Sequence, residues 1–339
     1  MKEPVRAALL GVGGYGQKLL EASRQVDGLE IVKAYYYRPE RAAEVEARLG
    51  LPVVTDLEKL LEDPTIDALV IVTPNDQHLP QAKAGLLHGK AVFVDKPITN
   101  TVDEAKELIR VEKETGGLLM VGHNFRRLKA FRACQKAISE GRIGELANVE
   151  GNFSRDGAYE VKPSSWRARE RCPTGPLIQL GIHLIDIELL YFGRPTKVFG
   201  FVEQVLPDGA NVDNTAGLIH FEGPRLGYIG SNYVGPFRST LAVYGTEGNL
   251  YTDGVETRLV SRDGREEVLY KGKDGLGAEM DASHVEQLEE FARLVREGGR
   301  PETDSLGALL ALAVVNAVEI SAREGRAVDL DELLGDVDA

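Results

Sequence analysis

The sequence has little cysteine and no excess of positive charge, and each shortage argues against a class of protein. Only two of the 339 residues are cysteine, Cys134 and Cys172, too few for a disulfide framework or a zinc cluster. We therefore expect no metal centre and a reducing, cytoplasmic location. The formal net charge of −13 argues against nucleic acid and against an anionic membrane as partners, because both attract a basic protein face.

Long hydrophobic runs are also missing. The apolar stretch near the N-terminus is too short for the core of a signal peptide, and the longest one, Ala308 to Val318, is too short to span a bilayer. The composition that remains, with 43% apolar and 27% charged residues, is typical of a soluble globular protein. A chain of 339 residues is long enough for two domains.

Up to about residue 122, short apolar runs alternate with segments of helical periodicity. Strands that are apolar throughout and separated by helices indicate a parallel sheet covered on both faces, which is the doubly wound α/β pattern. We predict a first domain over residues 1–122. Its predicted strands are Val5–Leu10, Glu30–Tyr36, Val53–Val54, Ala68–Val72, Ala91–Val94 and Leu118–Val121, and its predicted helices are Tyr15–Val26, Glu40–Leu49, Leu57–Glu62, Leu79–His88 and Asp103–Thr115.

A different rhythm follows Gly122 and predicts a second domain over residues 123–339. From Lys197 to Tyr270 the chain consists of successive strands joined by short turns, which favours a largely antiparallel sheet. Helices flank this region. The other predicted elements are a helix at Leu128–Glu140, a strand at Leu146–Ser154, a helix over about Ile178–Phe192, and two closing helices at His284–Glu297 and Ser305–Glu324.

A glycine-rich loop, Gly11-Val-Gly13-Gly14-Tyr15-Gly16, follows the first strand and opens the first helix. In this context G-x-G-x-x-G is good evidence for a dinucleotide site. Gly11 permits the tight turn, Gly13 lets the backbone approach a pyrophosphate, and Gly16 lets helix and strand pack closely. The phosphates would lie on the free N–H groups at the helix start. We therefore predict that this loop, with Gly14 and Tyr15, binds NAD or NADP.

The segment Tyr35-Tyr36-Tyr37-Arg38 occupies the place where an NAD site usually supplies an acid for the adenosine ribose. No carboxylate is available there to repel a 2′-phosphate. Arg38 could pair with that phosphate while a tyrosine ring, predicted here as Tyr36, covers the adenine. This pattern tilts the cofactor choice toward NADP; the alternative is that Arg38 is a solvated loop residue.

Polar residues also follow the fourth and fifth strands, at the sheet edge where ligands bind in such folds. Thr73-Pro74-Asn75 and His78 follow the fourth strand, and we predict that they contact the cofactor, although His78 could instead cap or pack against the next helix.

The fifth strand ends in Asp95-Lys96-Pro97. Burying either charge within the protein would be costly. An ammonium at this edge can donate to a substrate oxygen and stabilise a developing alkoxide. The alternative is a surface lysine in a turn.

Taken together, these segments resemble the Gfo/Idh/MocA family, which includes glucose–fructose oxidoreductase and inositol dehydrogenase. The resemblance implies a Rossmann domain followed by an α/β domain whose open, mostly antiparallel sheet forms an oligomer interface, so a homodimer or homotetramer is expected. The matching segments are Gly11–Gly16, Thr73-Pro74-Asn75 with His78, Asp95-Lys96-Pro97, Gly122-His-Asn-Phe-Arg126, Trp166-Arg167, Gly181-Ile-His183 with Asp186, and Ser321–Val328.

The resemblance also implies roles for individual residues. Lys96 would contact the reacting hydroxyl, Asp95 the nicotinamide ribose, and a cis peptide would precede Pro97. His183 is the candidate base, since oxidation of a secondary alcohol requires a group that accepts its proton and histidine titrates in the useful range. Arg167 matches an element that leans on the cofactor.

Other residues carry less specific expectations. Asn124 is expected to reach substrate or cofactor, and Tyr233 is a possible wall of the sugar pocket. Asp186 either orients His183 or pairs with an arginine. Gln179 stands where inositol dehydrogenases carry Asp, and a neutral amide can bind a hydroxyl but cannot stabilise an imidazolium by charge.

The leading hypothesis is an NAD(P)-dependent oxidoreductase acting on a secondary hydroxyl of a sugar, cyclitol or sugar derivative. Two alternatives share the cofactor. One is a glycosidase that oxidises its sugar transiently; the other is a non-catalytic sensor that binds NAD(P). The presence of both Lys96 and His183 argues against the sensor, whereas Gln179 is the one feature in its favour.

Overall fold

The computed structural model describes residues 3–335, which divide into two compact units. The first unit contains residues 3–99, 103–123 and 281–308, and the second contains residues 100–102, 124–280 and 309–335. Residues 281–308, which the sequence analysis assigned to the second domain, thus belong to the first unit.

A six-stranded parallel sheet forms the centre of the first unit. Its strands are β1 (Val5–Leu10), β2 (Leu29–Tyr35), β3 (Val53–Val54), β4 (Ala68–Ile71), β5 (Ala91–Val94) and β6 (Leu119–Val121). Their order in the sheet is β3-β2-β1-β4-β5-β6, with the strand order reversing beside β1, as in dinucleotide-binding folds. Every residue of β4 and β6 is buried, which explains why these strands are apolar throughout.

The first five helices occupy the positions that the apolar periodicity predicts, to within three residues at each end. They are α1 (Gly14–Ser23), α2 (Ala42–Leu49), α3 (Leu57–Leu61), α4 (His78–Leu87) and α5 (Val102–Thr115).

A helix from the far end of the chain completes the hydrophobic core of the first unit. This helix, labelled α8 below, covers Gly275–Glu297, and from residue 281 it belongs to the first unit. Leu288, Phe291, Ala292 and Leu294 are buried in the same cluster as the residues of β1 and β2. Sequence periodicity identifies this apolar stripe but not the sheet that it covers, and this is why the sequence-based domain boundary did not include it.

The second unit contains a nine-stranded sheet with the order β14-β13-β12-β11-β7-β10-β9-β8-β15. All neighbouring strands are antiparallel except β7 and β10. The predicted fold class is therefore confirmed for both sheets. The strands are β7 (Leu146–Ser154), β8 (Pro195–Glu203), β9 (Asn214–Phe221), β10 (Leu226–Asn232), β11 (Arg238–Gly245), β12 (Gly248–Thr252), β13 (Glu256–Ser261), β14 (Glu266–Lys271) and β15 (Val328–Asp329).

The remaining helices are α6 (Lys129–Ser139), α7 (Ile182–Phe192), α9 (Ser305–Glu324) and α10 (Leu330–Leu334), in addition to α8. Five residues of π-helix, Leu177–Gly181, lead directly into α7. Glycines let α9 lie close to the sheet, since a side chain at Gly200 or Gly217 would meet Val318 at 2.8 Å. Ser321 Oγ accepts a hydrogen bond from the Gly200 backbone N–H and donates one to the Arg326 carbonyl.

By length and composition alone, α9 could cross a membrane. The helix extends beyond the run from Ala308 to Val318, so the length argument from that run alone was too narrow. In this structure 61% of its apolar window is buried within the protein, and Leu312, Val315 and Val318 are fully enclosed. This is the burial expected of a core helix.

Candidate active site

Two glycines of the glycine-rich loop are required by the protein's own backbone. Gly11 has φ +109°, a conformation that L-residues with a side chain rarely adopt, and a Cβ there would lie 2.5 Å from the Val72 carbonyl oxygen. At Gly16 a Cβ would lie 1.9 Å from the carbonyl oxygen of Gly11 itself. These two positions thus set the tight turn and the close approach of α1 to β1.

Gly13 and Gly14 differ, because no neighbouring residue excludes a side chain there. Gly13 has ordinary extended backbone (φ −74°, ψ −172°), and a Cβ at either position would meet no atom within 4 Å. Gly13 precedes α1, whose start has no side-chain cap among the described residues. Open space beside exposed helix N–H groups fits a dinucleotide pyrophosphate, so the residues present are those that NAD(P) requires.

The end of β2 presents an aromatic and cationic surface. The Arg38 guanidinium lies over the Tyr37 ring, 4.9 Å from its centroid, and the Tyr36 and Tyr37 rings are 5.4 Å apart. Arg38 and Tyr37 are exposed, whereas Tyr36 packs against the core of the unit. The residues that the sequence analysis selected for the adenosine end are therefore grouped at one strand end.

His78 connects two loops at the carboxyl edge of this sheet. Its Nδ1 lies 2.7 Å from the Pro97 carbonyl oxygen and its Nε2 2.9 Å from that of Thr73. A neutral ring can donate only one of these bonds, and burial lowers the pKa of His78 although the two carbonyls oppose that shift. Both ring nitrogens thus face backbone oxygens, and His78 links the Thr73 and Pro97 loops.

Thr73 and Asn75 lie in the loop that His78 holds. The Thr73 hydroxyl donates to Gln81 Oε1 at 2.7 Å, and Asn75 is only 3% exposed.

Asp95 and Lys96 follow β5 at the same edge, and the Lys96–Pro97 peptide is cis, as the resemblance implied. Both side chains are half-buried. Asp95 Oδ1 is enclosed and has no hydrogen-bond partner among residues 3–335. Burial raises the pKa of Asp95 to about 6, against the opposing effects of the Lys96 charge, the Lys96 backbone N–H and the Tyr15 hydroxyl. The edge therefore holds a carboxylate with acceptor capacity that the described chain does not use.

Two residues near Tyr15 were not predicted from the sequence. His284 Nε2 lies 3.4 Å from the Tyr15 hydroxyl, and Gln287, one turn later on α8, is fully buried. A signal for them exists in the sequence, since His284, Gln287, Leu288 and Phe291 follow helical spacing and two polar residues therefore interrupt an apolar stripe.

In the second unit, the π-helical turn and the start of α7 present Gln179 and His183, both 7% exposed. A π-helical turn inside a helix is uncommon and often found at functional sites. The His183 ring stacks on Phe125, with centroids 4.3 Å apart and planes at 20°, and the Phe153 ring lies 6.0 Å from it, tilted by 46°. Aromatic packing fixes the plane of this ring.

Asp186 pairs with an arginine, which decides between the two alternatives left open by the sequence. Arg126 donates to both carboxylate oxygens, from Nε at 2.8 Å and from Nη2 at 2.6 Å. The carboxylate is 1% and the guanidinium 12% exposed. Arg126 is thus committed to the protein's own acid, and the pair joins the segment after β6 to α7.

The remaining predicted residues of this unit have protein contacts. Asn124 Nδ2 lies 3.6 Å from Met280 Sδ, and the exposed Arg167 guanidinium lies over the Trp166 ring at 4.3 Å. Tyr233 is 6% exposed, and burial raises the pKa of its hydroxyl. Among residues 3–335, no group of three or more His, Cys, Asp or Glu side chains could hold a metal ion.

Family models and relatives agree with this arrangement. One model, described as an oxidoreductase family with an NAD-binding Rossmann fold, matches residues 5–123, and a second, the GFO/IDH/MocA C-terminal domain, matches residues 131–251. An uncharacterized oxidoreductase of Escherichia coli, YdgJ, is 30% identical over 264 residues, covering 76% of this chain and 73% of that protein. The scyllo-inositol 2-dehydrogenase (NAD(+)) of Bacillus subtilis is 29% identical over 346 residues and 98% of both chains.

Among solved structures, a putative NADPH-dependent oxidoreductase from Desulfitobacterium hafniense superposes with a TM-score of 0.90 at 28% identity, covering 99% of this chain and 100% of that one. The fold, the glycine loop and these matches lead to one conclusion. The chain belongs to the Gfo/Idh/MocA family and is an NAD(P)-dependent dehydrogenase or reductase acting on CH–OH groups.

Proposed function

We propose that the protein interconverts a secondary hydroxyl and a ketone on a sugar, cyclitol or sugar derivative. The inositol activity of the Bacillus subtilis relative supports this substrate class. Oxidation of such an alcohol removes a hydride from carbon and a proton from oxygen. NAD(P), when bound, supplies the hydride acceptor, and the protein must bind the oxygen and accept the proton.

Lys96 is proposed to bind the reacting oxygen. The observation that carries this proposal is the fixed segment around it, since the His78 ring holds the Pro97 carbonyl next to Lys96 at the carboxyl edge of the sheet. An ammonium there stabilises the negative charge that develops on oxygen as the proton leaves. Asp95 Oδ1, an enclosed acceptor, is proposed to take a hydrogen bond from a cofactor ribose hydroxyl.

His183 is proposed to accept the proton. Its ring is held by Phe125 in one plane at the start of α7, so a ring nitrogen keeps a constant direction. Gln179 is proposed to bind a neighbouring hydroxyl, and Asn124 and Tyr233 to complete the substrate-binding residues.

The cofactor is proposed to be NADP rather than NAD. The glycine loop with Tyr15, the Thr73–Asn75 loop and Arg167 would bind it at the positions predicted from sequence. The preference rests on the exposed Arg38 stacked on Tyr37, a cation available to a 2′-phosphate. Replacing Arg38 by Ala should lower kcat/KM for NADP at least tenfold more than for NAD; equal losses would contradict the preference.

The decisive experiment is a panel of sugars and cyclitols read at the nicotinamide absorbance, with wild type and two variants. Lys96→Ala and His183→Ala should each lower kcat by about 10²–10⁴-fold, because each removes a group that acts on the reacting hydroxyl. Lys96→Ala should still bind the cofactor. The matched controls are Lys83→Ala, on an ion pair with Glu107, and His88→Ala, on a contact with Glu58.

The same panel separates the alternatives. Full activity of Lys96→Ala would refute its assignment. Release of an aglycone without net change in absorbance would indicate the glycosidase, and cofactor binding without any turnover would indicate the sensor.

The protein is proposed to be a cytoplasmic homodimer or homotetramer that associates through the open face of the second sheet. Exposed apolar side chains from three neighbouring strands share that face, namely Phe201, Leu218, Leu226 and Tyr228. Light scattering after size exclusion should give an integral multiple of 37.0 kDa, and Leu218→Glu should reduce it.

A further inference from the structure

Helix α8 carries polar residues to the cofactor edge of the first sheet. In its C-terminal half, Phe291 packs edge-on against Phe93 of β5, with ring centroids 5.8 Å apart. Gln287 lies about one helical turn before Phe291, and His284 lies about two turns before it. Asp95 follows Phe93 of β5 by two residues. Both polar side chains are buried, with 2% exposure or less.

Tyr15 connects this helix to the glycine loop. Its hydroxyl lies 3.4 Å from His284 Nε2, and the two rings meet edge-on with centroids 5.4 Å apart. Gln287 also faces the hydroxyl and lowers its pKa, but burial and the Asp95 charge raise that pKa well above 10. Tyr15 is therefore a neutral donor at physiological pH.

The chemistry of these groups gives the hydrogen bonds one direction. The Tyr15 hydroxyl interacts with the Asp95 carboxylate and lowers its pKa; because an ionised Asp95 can only accept, the Tyr15 O–H is the donor and the Tyr15 oxygen is left as an acceptor. His284 can fill that acceptor with an Nε2–H. Burial lowers the pKa of His284 to about 4, so its ring is neutral near pH 7 and still carries the one N–H that this bond requires.

The charges around these groups are few. The Lys96 charge and the Tyr15 hydroxyl both lower the pKa of Asp95. Asp281 of α8 raises the pKa of His284, and Lys18 of α1 lowers it. Within the described chain, the coupling from α8 to Asp95 that these contacts support runs through Tyr15.

We propose that His284, acting through the Tyr15 hydroxyl, orients the Asp95 carboxylate for the cofactor, so that Tyr15 and His284 are positioning residues for NAD(P) binding. The proposal rests on the assignment of Asp95 to cofactor binding made above. By this proposal, cofactor affinity depends on helix α8, from the C-terminal part of the chain, as well as on the glycine loop.

The test is the Kd for NADPH and NADH, measured by calorimetry between pH 5 and pH 8.5 on the full-length protein. Wild-type affinity should weaken as the pH falls through about 6, because protonated Asp95 loses its acceptor role. Tyr15→Phe removes only the hydroxyl and should raise that midpoint by about one pH unit, since a hydrogen bond to a charged group favours its ionised form. His284→Phe should raise the midpoint by a smaller amount, because His284 acts on Asp95 only through the Tyr15 hydroxyl.

The double variant decides whether the two residues form one relay. In the Tyr15→Phe background, His284→Phe should cause no further shift; additive shifts would overturn the proposal. Leu288→Val is a control in the same helix and core. Because its effect is purely structural, it should lower thermal stability without moving the pH midpoint.

Asp95→Asn separates this proposal from the one on which it rests. If that variant binds the cofactor like wild type, Asp95 is not a cofactor ligand and the proposed function is wrong at that residue. If Asp95→Asn abolishes the pH dependence but Tyr15→Phe and His284→Phe leave the midpoint in place, the relay alone is refuted.

Discussion

The acid at the cofactor edge of the first sheet and the acids of α7 in the second unit differ in how their carboxyl groups are accommodated. Asp95 is held near a lysine and a tyrosine, with one oxygen enclosed and without a described partner. On α7, Asp186 is fully paired with Arg126, whereas Glu188 is 0% exposed and neither of its oxygens has a hydrogen-bond partner among residues 3–335.

Glu188 lies where two strands lack side chains. A Cβ at Gly151 of β7 would lie 2.7 Å from Glu188 Oε1, and one at Gly227 of β10 would lie 3.2 Å from Oε2. The glycines provide room but no donor, and burial alone raises the pKa of Glu188 well above 4.5. The comparison teaches that the effect of burying an acid depends on the groups that face it. Burial is stabilising for Asp186, which has an arginine partner, tolerated for Asp95, and costly for Glu188, which faces no donor among residues 3–335.

The largest effect should follow from unpairing Asp186. Replacing Arg126 by Met leaves a buried carboxylate without its bidentate donor and should lower the free energy of unfolding by about 3–5 kcal/mol. Urea denaturation measures the change. A double variant that also carries Asp186→Leu should recover most of the loss, and failure to recover would mean that Arg126 stabilises the fold mainly through other contacts.

A smaller effect of opposite sign is expected at Asp95. Its pKa is raised from 3.8 to about 6, so the folded state binds a proton more tightly than the unfolded chain, and stability falls as the pH rises from about 4 through 6. Asp95→Asn removes that decline and should stabilise the protein by about 2 kcal/mol at pH 7, with little difference at pH 4. Equal gains at both pH values would show that the carboxylate charge is not the cause.

The smallest effect should occur at Glu188. Its raised pKa means that the folded state keeps the proton, so stability is lost as the pH rises above about 4.5. Glu188→Met removes two unsatisfied oxygens and should add about 1–2 kcal/mol at pH 7, with a gain that grows toward alkaline pH. Thermal melts between pH 5 and pH 9, with Glu188→Gln as the uncharged polar control, test this; a loss of stability in both variants would reveal an unrecognised role for the acid.

Much of the fold was predictable, because the signals for it are local. Short apolar runs between helical segments located β1, β3 and β5 at their observed residues. The glycine loop was recognisable in the sequence because the surrounding backbone requires glycine at Gly11 and Gly16.

What the sequence did not reveal depends on distance along the chain or on weak local signals. The Arg126–Asp186 pair and the approach of His284 to Tyr15 join segments that no periodicity connects. Helix α8 begins nine residues earlier than predicted, at Gly275, because Gly275 and Gly277 disfavour a helix by propensity. Strand β15 has only two residues and was not predicted. Helix α10 was not predicted either, although the capping box of Asp329 and Glu332 at its start was a readable signal.

The return of residues 281–308 to the first unit has a consequence for synthesis on the ribosome. A nascent chain that has emerged only to residue 123 already contains all six strands of the first sheet, yet lacks the Leu288, Phe291 and Leu294 side chains that cover its core. The cofactor unit therefore cannot mature from the N-terminus alone. Its last stage of folding waits until residues 281–308 have been translated, and a gene fragment ending after β6 should yield an aggregation-prone product.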